Sequence, residues 1–207
     1  ELARQFRPGK FIFASSSSVY GNASRIPFSE SDPADRPVSP YAATKRAGEL
    51  MCHTYHHLYR LNITCLRFFT VYGPRNRPDL AVARFTELIR SGRPVPVFGD
   101  GTSRRDYTYI DDILEGVMAA MQRCDGYRIY NLGHSEPVEL RCLIRTIEAA
   151  LGKEAFIEHQ PRQAGDVNET FADITCARQD LGFDPVTSPE TGIEHYVRWH
   201  TETALTD

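Results

Sequence analysis

Lys10-Phe11-Ile12-Phe13-Ala14-Ser15-Ser16-Ser17-Ser18-Val19-Tyr20-Gly21 is the stretch that decides the fold. Lys10 to Ala14 is a short apolar run, and a tract of four serines follows at once; a buried parallel strand reads this way. Asn22 to Pro40, rich in Pro, Ser and Asp, is expected to be a long loop, and loops of that length are often functional. Tyr41 to Tyr59 has Ala47, Leu50, Met51, Tyr55 and Leu58 at helical spacing. Asn62 to Phe69 is β-branched and aromatic and reads as a second strand. Strand, helix and strand at this spacing form a parallel crossover unit, so the sequence predicts an α/β fold with a parallel sheet.

Outward from that unit the alternation continues. Leu80 to Arg90 reads as a helix ended by Ser91-Gly92. Pro94 to Phe98 is extended, Gly99-Asp100-Gly101 is a tight turn, and Arg105 to Ile110 returns as a strand; Asp-Gly between extended segments is a strong hairpin signal. Asp111-Asp112 opens a helix to about Arg123. Tyr127 to Leu132 is a strand, Val138 to Leu151 a helix stopped by Gly152, and Ala155 to His159 a further strand. Two short helices are expected at Thr175 to Leu181 and Pro189 to Thr201, in a smaller mixed lobe.

Composition narrows the function. With 207 residues, 41% apolar and 25% charged, the chain has the makings of one sizeable core, or one core with a small second lobe. A net charge of −3 and a pI near 6.2 argue against a nucleic-acid partner, which calls for a basic face. No apolar run approaches the ~20 residues of a membrane span, and Glu1 to Lys10 is too polar for a secretory signal. Cys52, Cys65, Cys124, Cys142 and Cys176 are odd in number, with no disulfide or zinc spacing. Free thiols in a reducing, cytoplasmic compartment are the expectation. His53, His56 and His57 lack a carboxylate or cysteine partner and are expected on a helix surface, with no metal.

Three segments carry the chemistry: Ser15 to Gly21 at one strand end, Tyr41 with Lys45 in Pro40-Tyr41-Ala42-Ala43-Thr44-Lys45, and Leu66-Arg67-Phe68-Phe69-Thr70-Val71-Tyr72-Gly73 at the next strand end. Residues four apart share a helix face. An ammonium beside a phenol favours the phenolate, which makes Tyr41 a general base near neutral pH. The Ser16 hydroxyl is suited to bond a substrate oxygen and help move its proton. In open α/β sheets, ligands bind beyond the carboxyl ends of the strands, where the serine tract and Thr70 are expected.

These residues resemble the extended short-chain dehydrogenase/reductase family in its NAD-dependent epimerase/dehydratase branch. The resemblance covers nearly the whole chain and includes Val97-Phe98-Gly99-Asp100-Gly101, Arg104-Arg105-Asp106-Tyr107, Tyr109-Ile110-Asp111-Asp112, Tyr130-Asn131-Leu132-Gly133, Gly165-Asp166-Val167 with Ala172-Asp173, and Leu181-Gly182-Phe183. It implies a Rossmann-like parallel sheet with its amino-terminal half absent and a smaller mixed α/β substrate-binding lobe. Residues 1–75 would carry the catalytic part and 76–207 mainly the sugar-nucleotide lobe, with 107–135 returning to the Rossmann domain. Ser16, Tyr41 and Lys45 would be the catalytic trio, and Tyr41, Lys45 and Phe69 would face NAD. The helix from Tyr41 to Tyr59 would support a homodimer.

Dehydratases and decarboxylases of this branch place carboxylates just before Val-Tyr-Gly, where this sequence has Ser17 and Ser18. A hydroxyl cannot serve as that acid or base, so 4-epimerisation, which needs only hydride transfer and one proton shuttle, is the expected reaction. The stretch from Phe68 to Pro74 with Arg77-Pro78-Asp79, and Gln163 before Ala164-Gly165-Asp166, look most like the UDP-glucuronate 4-epimerases. On that resemblance Arg77 would pair with the hexuronate carboxylate, helped by Ser17, Ser18 and Thr70. Arg105 would take the diphosphate, Asp166 a ribose hydroxyl, and Phe98 would line the same lobe. The alternatives are a UDP-glucose 4-epimerase and a non-catalytic sugar-nucleotide-binding module. The glycine-rich turn that admits a dinucleotide pyrophosphate is not among these 207 residues. The expectation is therefore that the parent protein is active, while this piece alone binds NAD poorly and tends to associate.

Overall fold

In the computed structural model, residues 1–22, 25–161 and 168–204 are described. Helix α1 (Leu2–Phe6) precedes β1 (Phe11–Ser16) and a 3-10 turn (Ser17–Tyr20). Then come α2 (Pro40–Tyr59), β2 (Ile63–Phe68), β3 (Thr70–Tyr72), α3 (Ala81–Arg90), β4 (Val95–Phe98) and β5 (Arg104–Tyr109). They are followed by α4 (Ile110–Arg123), β6 (Tyr127–Leu132), β7 (Pro137–Glu139), α5 (Leu140–Leu151) and β8 (Ile157–Gln160). The last elements are β9 (Glu169–Thr170), α6 (Thr175–Leu181) and α7 (Pro189–Ala204). The chain divides into two compact units: residues 1–69, 111–135 and 171–185, and residues 70–110, 136–170 and 186–207. The compact units divide at 69/70, where β3 pairs with β5 instead of prolonging the β2 sheet. Residues 171–185 also belong to the first unit, where the Phe28 N–H donates to the Phe171 carbonyl and the Asp173 N–H to the Phe28 carbonyl.

The first unit is a parallel sheet in the order β1-β2-β6, with Phe11 opposite Ile63 and Ile63 opposite Tyr127. Strand β2 is buried from Ile63 to Arg67, as expected of a run with a neighbour on each side. In strand β1, Phe11, Ile12 and Phe13 are half-buried and Ala14 is exposed. Among the described residues β1 pairs only with β2, and an apolar cleft of about 410 Å³ opens beside Phe11, Phe13, Met51 and Cys52. An apolar run signals a strand but not how many neighbours cover it.

Helix α2 begins where Ser39 caps it, its side chain accepting from the Ala42 N–H at 3.1 Å, with Pro40 in the first turn. It ends at Arg60 in the left-handed region (φ 56°), whose N–H reaches the His56 carbonyl. Gly48 lets the helix lie close on β1: a Cβ there would sit 2.2 Å from Phe13 Cζ.

The second unit centres on β5, flanked by β3 in parallel and β7 in antiparallel order, with β9 also alongside. The expected hairpin does not form. Strand β4 pairs with β8 in parallel, and Asp100 Oδ1 holds the Thr102 N–H and hydroxyl in the turn, after which the chain leaves for β3. Val138 and Glu139, expected to start a helix, belong to strand β7 (Pro137–Glu139), and α5 begins at Leu140. The α5 stripe Leu143, Ile144 and Ile147 packs with Val82, Phe85, Ile89, Ile193 and Tyr196. Each such side chain contributes about 1.5–3 kcal/mol by leaving water.

Candidate active site

The serine tract turns sharply because Ser16 acts as a cap. Its Oγ accepts the Ser18 N–H at 3.2 Å and the Ser18 hydroxyl at 2.8 Å. A hydroxyl has two acceptor lone pairs and one donor, so Ser16 keeps its own proton to give outward. Ser16, Ser17 and Ser18 are half-buried, and Ser15 behind them is buried.

Tyr41 stands in the first turn of α2 with its side chain more than half exposed (55%). One turn on, the Lys45 ammonium donates to the Ala14 carbonyl at 2.8 Å and lies 5.6 Å from the centre of the Tyr41 ring. It also lies 5.7 Å from the Phe13 ring centre, a cation–π range. Lys45 thus ties the tyrosine-bearing turn to β1, two residues short of Ser16.

Below this surface runs a buried polar network that the sequence reading missed. Glu49, four residues after Lys45, accepts from the Ser15 hydroxyl at 2.6 Å, from Arg67 Nε and Nη2 at 2.8 and 2.9 Å, and from Arg46 Nη1 at 2.9 Å. Burial pushes its carboxyl up, but the Arg67 bonds and charge, with the bonds from Ser15 and Arg46, more than offset this and hold it below the usual range. The Arg67 guanidinium lies 4.7 Å from the Tyr20 ring centre. Burial pushes the Tyr20 phenol up to about 12, against the lowering effect of the Arg67 charge. The Tyr20 hydroxyl donates to Asn131 Oδ1 at 2.7 Å; Asn131 Nδ2 donates to the Phe28 and Asp173 carbonyls, and its N–H to Glu30. Burial also pushes the Glu30 carboxyl up, opposed by the Asn131 N–H. A signal was present: Arg67 is a cation inside the otherwise uncharged strand Ile63–Phe68, and a charge in a buried strand demands a partner.

The remaining expected site residues divide between the units. Phe69 is buried to 8% exposure in the first unit, its ring clustered with Tyr20 and Phe28. Thr70, Arg77, Phe98 and Arg105 belong to the second. Thr70 opens β3 opposite Tyr107, and Phe98 ends β4, half-buried. Arg77 is exposed and forks onto Asp79, its Nε at 3.0 Å and Nη2 at 2.5 Å. Arg105 is half-buried on β5 and donates to the Arg104 carbonyl at 3.0 Å. Asp166 and Gln163 lie outside the described residues. Of the helix histidines, His56 bonds the Leu61 carbonyl at 2.8 Å and His53 stands edge-on to Tyr127. Among the described residues no three His, Cys, Asp or Glu side chains gather as a metal set, and no helix is long and apolar enough to cross a membrane.

The chain is 44% identical over 203 residues to the UDP-glucuronate 4-epimerase of Thermodesulfobacterium geofontis, covering 98% of itself and 62% of that protein. Its fold superposes with a TM-score of 0.90 and 36% identity on the UDP-glucuronic acid 4-epimerase of Bacillus cereus solved with UDP-glucuronic acid and NAD, covering 97% of itself and 64% of that chain. With a TM-score of 0.91 and 31% identity it also matches the UDP-glucose 4-epimerase of Thermotoga maritima solved with UDP-glucose, 66% of which it covers. The chain therefore spans somewhat less than two thirds of these relatives. Residues 1–133, which hold the serine tract, Tyr41, Lys45 and the buried network, match the family described as NAD dependent epimerase/dehydratase, and the chain belongs to that family.

Proposed function

We propose that this chain is the catalytic and substrate-binding part of an NAD-dependent nucleotide-sugar 4-epimerase acting on UDP-glucuronate. The observation that carries the reading is the Lys45 ammonium, bonded to the Ala14 carbonyl and 5.6 Å from the Tyr41 ring centre, two residues short of Ser16. Tyr41, one turn before Lys45 on the same helix face, is the group that takes the proton from the sugar O4. Ser16, its lone pairs occupied by Ser18, donates to the same oxygen and steadies it as the proton leaves. The exposed Tyr41 ring beside a half-buried Lys45 is an open polar edge that fits the nicotinamide end of a dinucleotide. Tyr41 and Lys45 would hold it, with Phe69 at its side. NAD, when bound, supplies the acceptor and donor of the C4 hydride.

UDP-glucuronate is favoured over UDP-glucose by the exposed Arg77 fork, whose present partner Asp79 is itself a carboxylate. Thr70, Ser17 and Ser18 offer further hydroxyls, with Phe98, Arg105 and Asp166 assigned to the nucleotide. A homodimer fits the exposed Leu50, Met51 and Leu58 of α2 and the stripe Leu114, Met118 and Met121 of α4, which leave apolar surface to cover.

The test is conversion of UDP-glucuronate to UDP-galacturonate by the full-length protein carrying this sequence, followed by chromatography. Tyr41→Phe should lower kcat by about 10²–10⁴-fold while UDP-glucuronate still binds. Faster turnover of UDP-glucose would move the assignment to that sugar. Tight UDP-sugar binding with no turnover of either sugar would leave a binding module.

A further inference from the structure

The Glu49–Arg67 pair takes no part in the proton transfer, yet it is the most heavily bonded charged group near it. A carboxylate offers about four lone-pair sites, and Ser15, Arg67 twice and Arg46 fill all four. The bonds join three elements: α2 through Glu49 and Arg46, β1 through Ser15, and β2 through Arg67. Two of the proposed reacting groups, Ser16 and Lys45, have a chain neighbour in the cluster, Ser15 and Arg46. Glu49 is one helical turn beyond Lys45 and two beyond Tyr41. Ser15 lies between Ala14, whose carbonyl receives the Lys45 ammonium, and Ser16. Arg67 stacks on Tyr20 at the end of the 3-10 turn that Ser16 caps.

Stability alone does not account for such a cluster. Well-packed apolar residues of similar volume often hold a fold as well as a buried ion pair or better. What they lack is direction: an apolar face tolerates small rotations and slides, whereas a forked guanidinium and a filled carboxylate fix an angle and a height.

We propose that Glu49, clamped by Arg67 and Ser15, is a positioning residue that sets the rotation and height of α2 on β1, and so holds Lys45 on the Ala14 carbonyl beside Tyr41 and in register with Ser16. Glu49 touches neither sugar nor cofactor; it acts through the helix. The proposal rests on the reading of Ser16, Tyr41 and Lys45 as the reacting groups.

The test uses the full-length protein and two variants. The first is the paired swap Glu49→Leu with Arg67→Met, which removes both charges and keeps the volume. The second is Ser15→Ala, which removes one bond to the carboxylate, leaves the ion pair, and serves if the swap does not fold. Three quantities are read: melting temperature, kcat and KM for UDP-glucuronate, and the ¹⁵N ammonium resonance of Lys45, assigned by its absence in Lys45→Arg. The expected result is a folded swap variant with kcat down about 10²-fold, as for a misplacement on the order of 1 Å. KM should stay within about threefold, and the Lys45 resonance should broaden or vanish as the ammonium leaves its carbonyl. Ser15→Ala should show the same pattern at about tenfold. Variants that keep both kcat and the Lys45 resonance, whatever their melting temperature, would overturn the proposal. A wild-type protein that turns over no UDP-sugar, while the Lys45 resonance still vanishes in the variants, would sink the epimerase reading and leave the positioning role standing.

Discussion

Arg67 and Arg77 make the same bond in opposite surroundings. Each presents Nε and Nη2 to the two oxygens of one carboxylate, Arg67 to Glu49 at 2.8 and 2.9 Å and Arg77 to Asp79 at 3.0 and 2.5 Å. The side chains of the first pair are 2% and 0% exposed, those of the second 73% and 60%. The difference teaches that geometry does not set the role of an ion pair; water does. In the first unit neither charge has solvent to fall back on, so the pair is a fixed joint. In the second unit water competes for both partners, so the Arg77 fork is exchangeable.

The largest effect should come from breaking the buried joint on one side. Glu49→Leu alone strands the Arg67 cation and should lower stability by about 3–5 kcal/mol, measured by urea unfolding. Adding Arg67→Met should restore most of it, and a single variant as stable as wild type would remove the distinction between the two pairs. Next comes Asn131→Ala, which strips the Tyr20 hydroxyl and the Phe28 and Asp173 carbonyls of a shared partner. A loss of about 1–3 kcal/mol is expected, as for buried polar groups left unmade.

Two carboxyls of this unit, the buried Glu49 and the half-buried Glu30, should respond to pH in opposite senses. Glu49 is held below the ordinary range, so its contribution is present above the unfolded value of about 4.3 and is lost as pH falls through its folded value. Glu30 is held above that range by burial, so its contribution is present at low pH and is lost as pH rises through the raised value. Glu30→Gln, which keeps an oxygen for the Asn131 N–H, should therefore leave the melting temperature unchanged near about pH 4 and raise it near about pH 8. A rise of equal size at both pH values would mean that its ionisation is not the cause. The smallest stability change belongs to Arg77→Ala, within about 0.5 kcal/mol. KM for UDP-glucuronate should nevertheless rise about tenfold while that for UDP-glucose holds. Equal rises for both sugars would take Arg77 out of carboxylate recognition.

Much of this protein could be read along the chain. The strand at Phe11, the helix from Tyr41 to Tyr59, the strands at Ile63 and Tyr127 and the helices at Ala81 and Leu140 follow from periodicity and from stops such as Ser91-Gly92 and Gly152, because these signals are local. The Tyr41–Lys45 pair was legible for the same reason: four residues on a helix fix a shared face before any packing occurs.

Sequence by itself therefore determined the α/β order of elements, the parallel unit and the shared helix face of Tyr41 and Lys45. Tertiary structure decided what depends on distant partners. It sent β4 to β8 rather than back onto β5 and set β3 beside β5. It also joined Ser15, Glu49, Arg67, Tyr20 and Asn131 in one buried network. Spacing along the chain has no term for these outcomes, because each depends on which surfaces remain for burial after the local elements have formed. A buried charge needs a partner, but only packing chooses it.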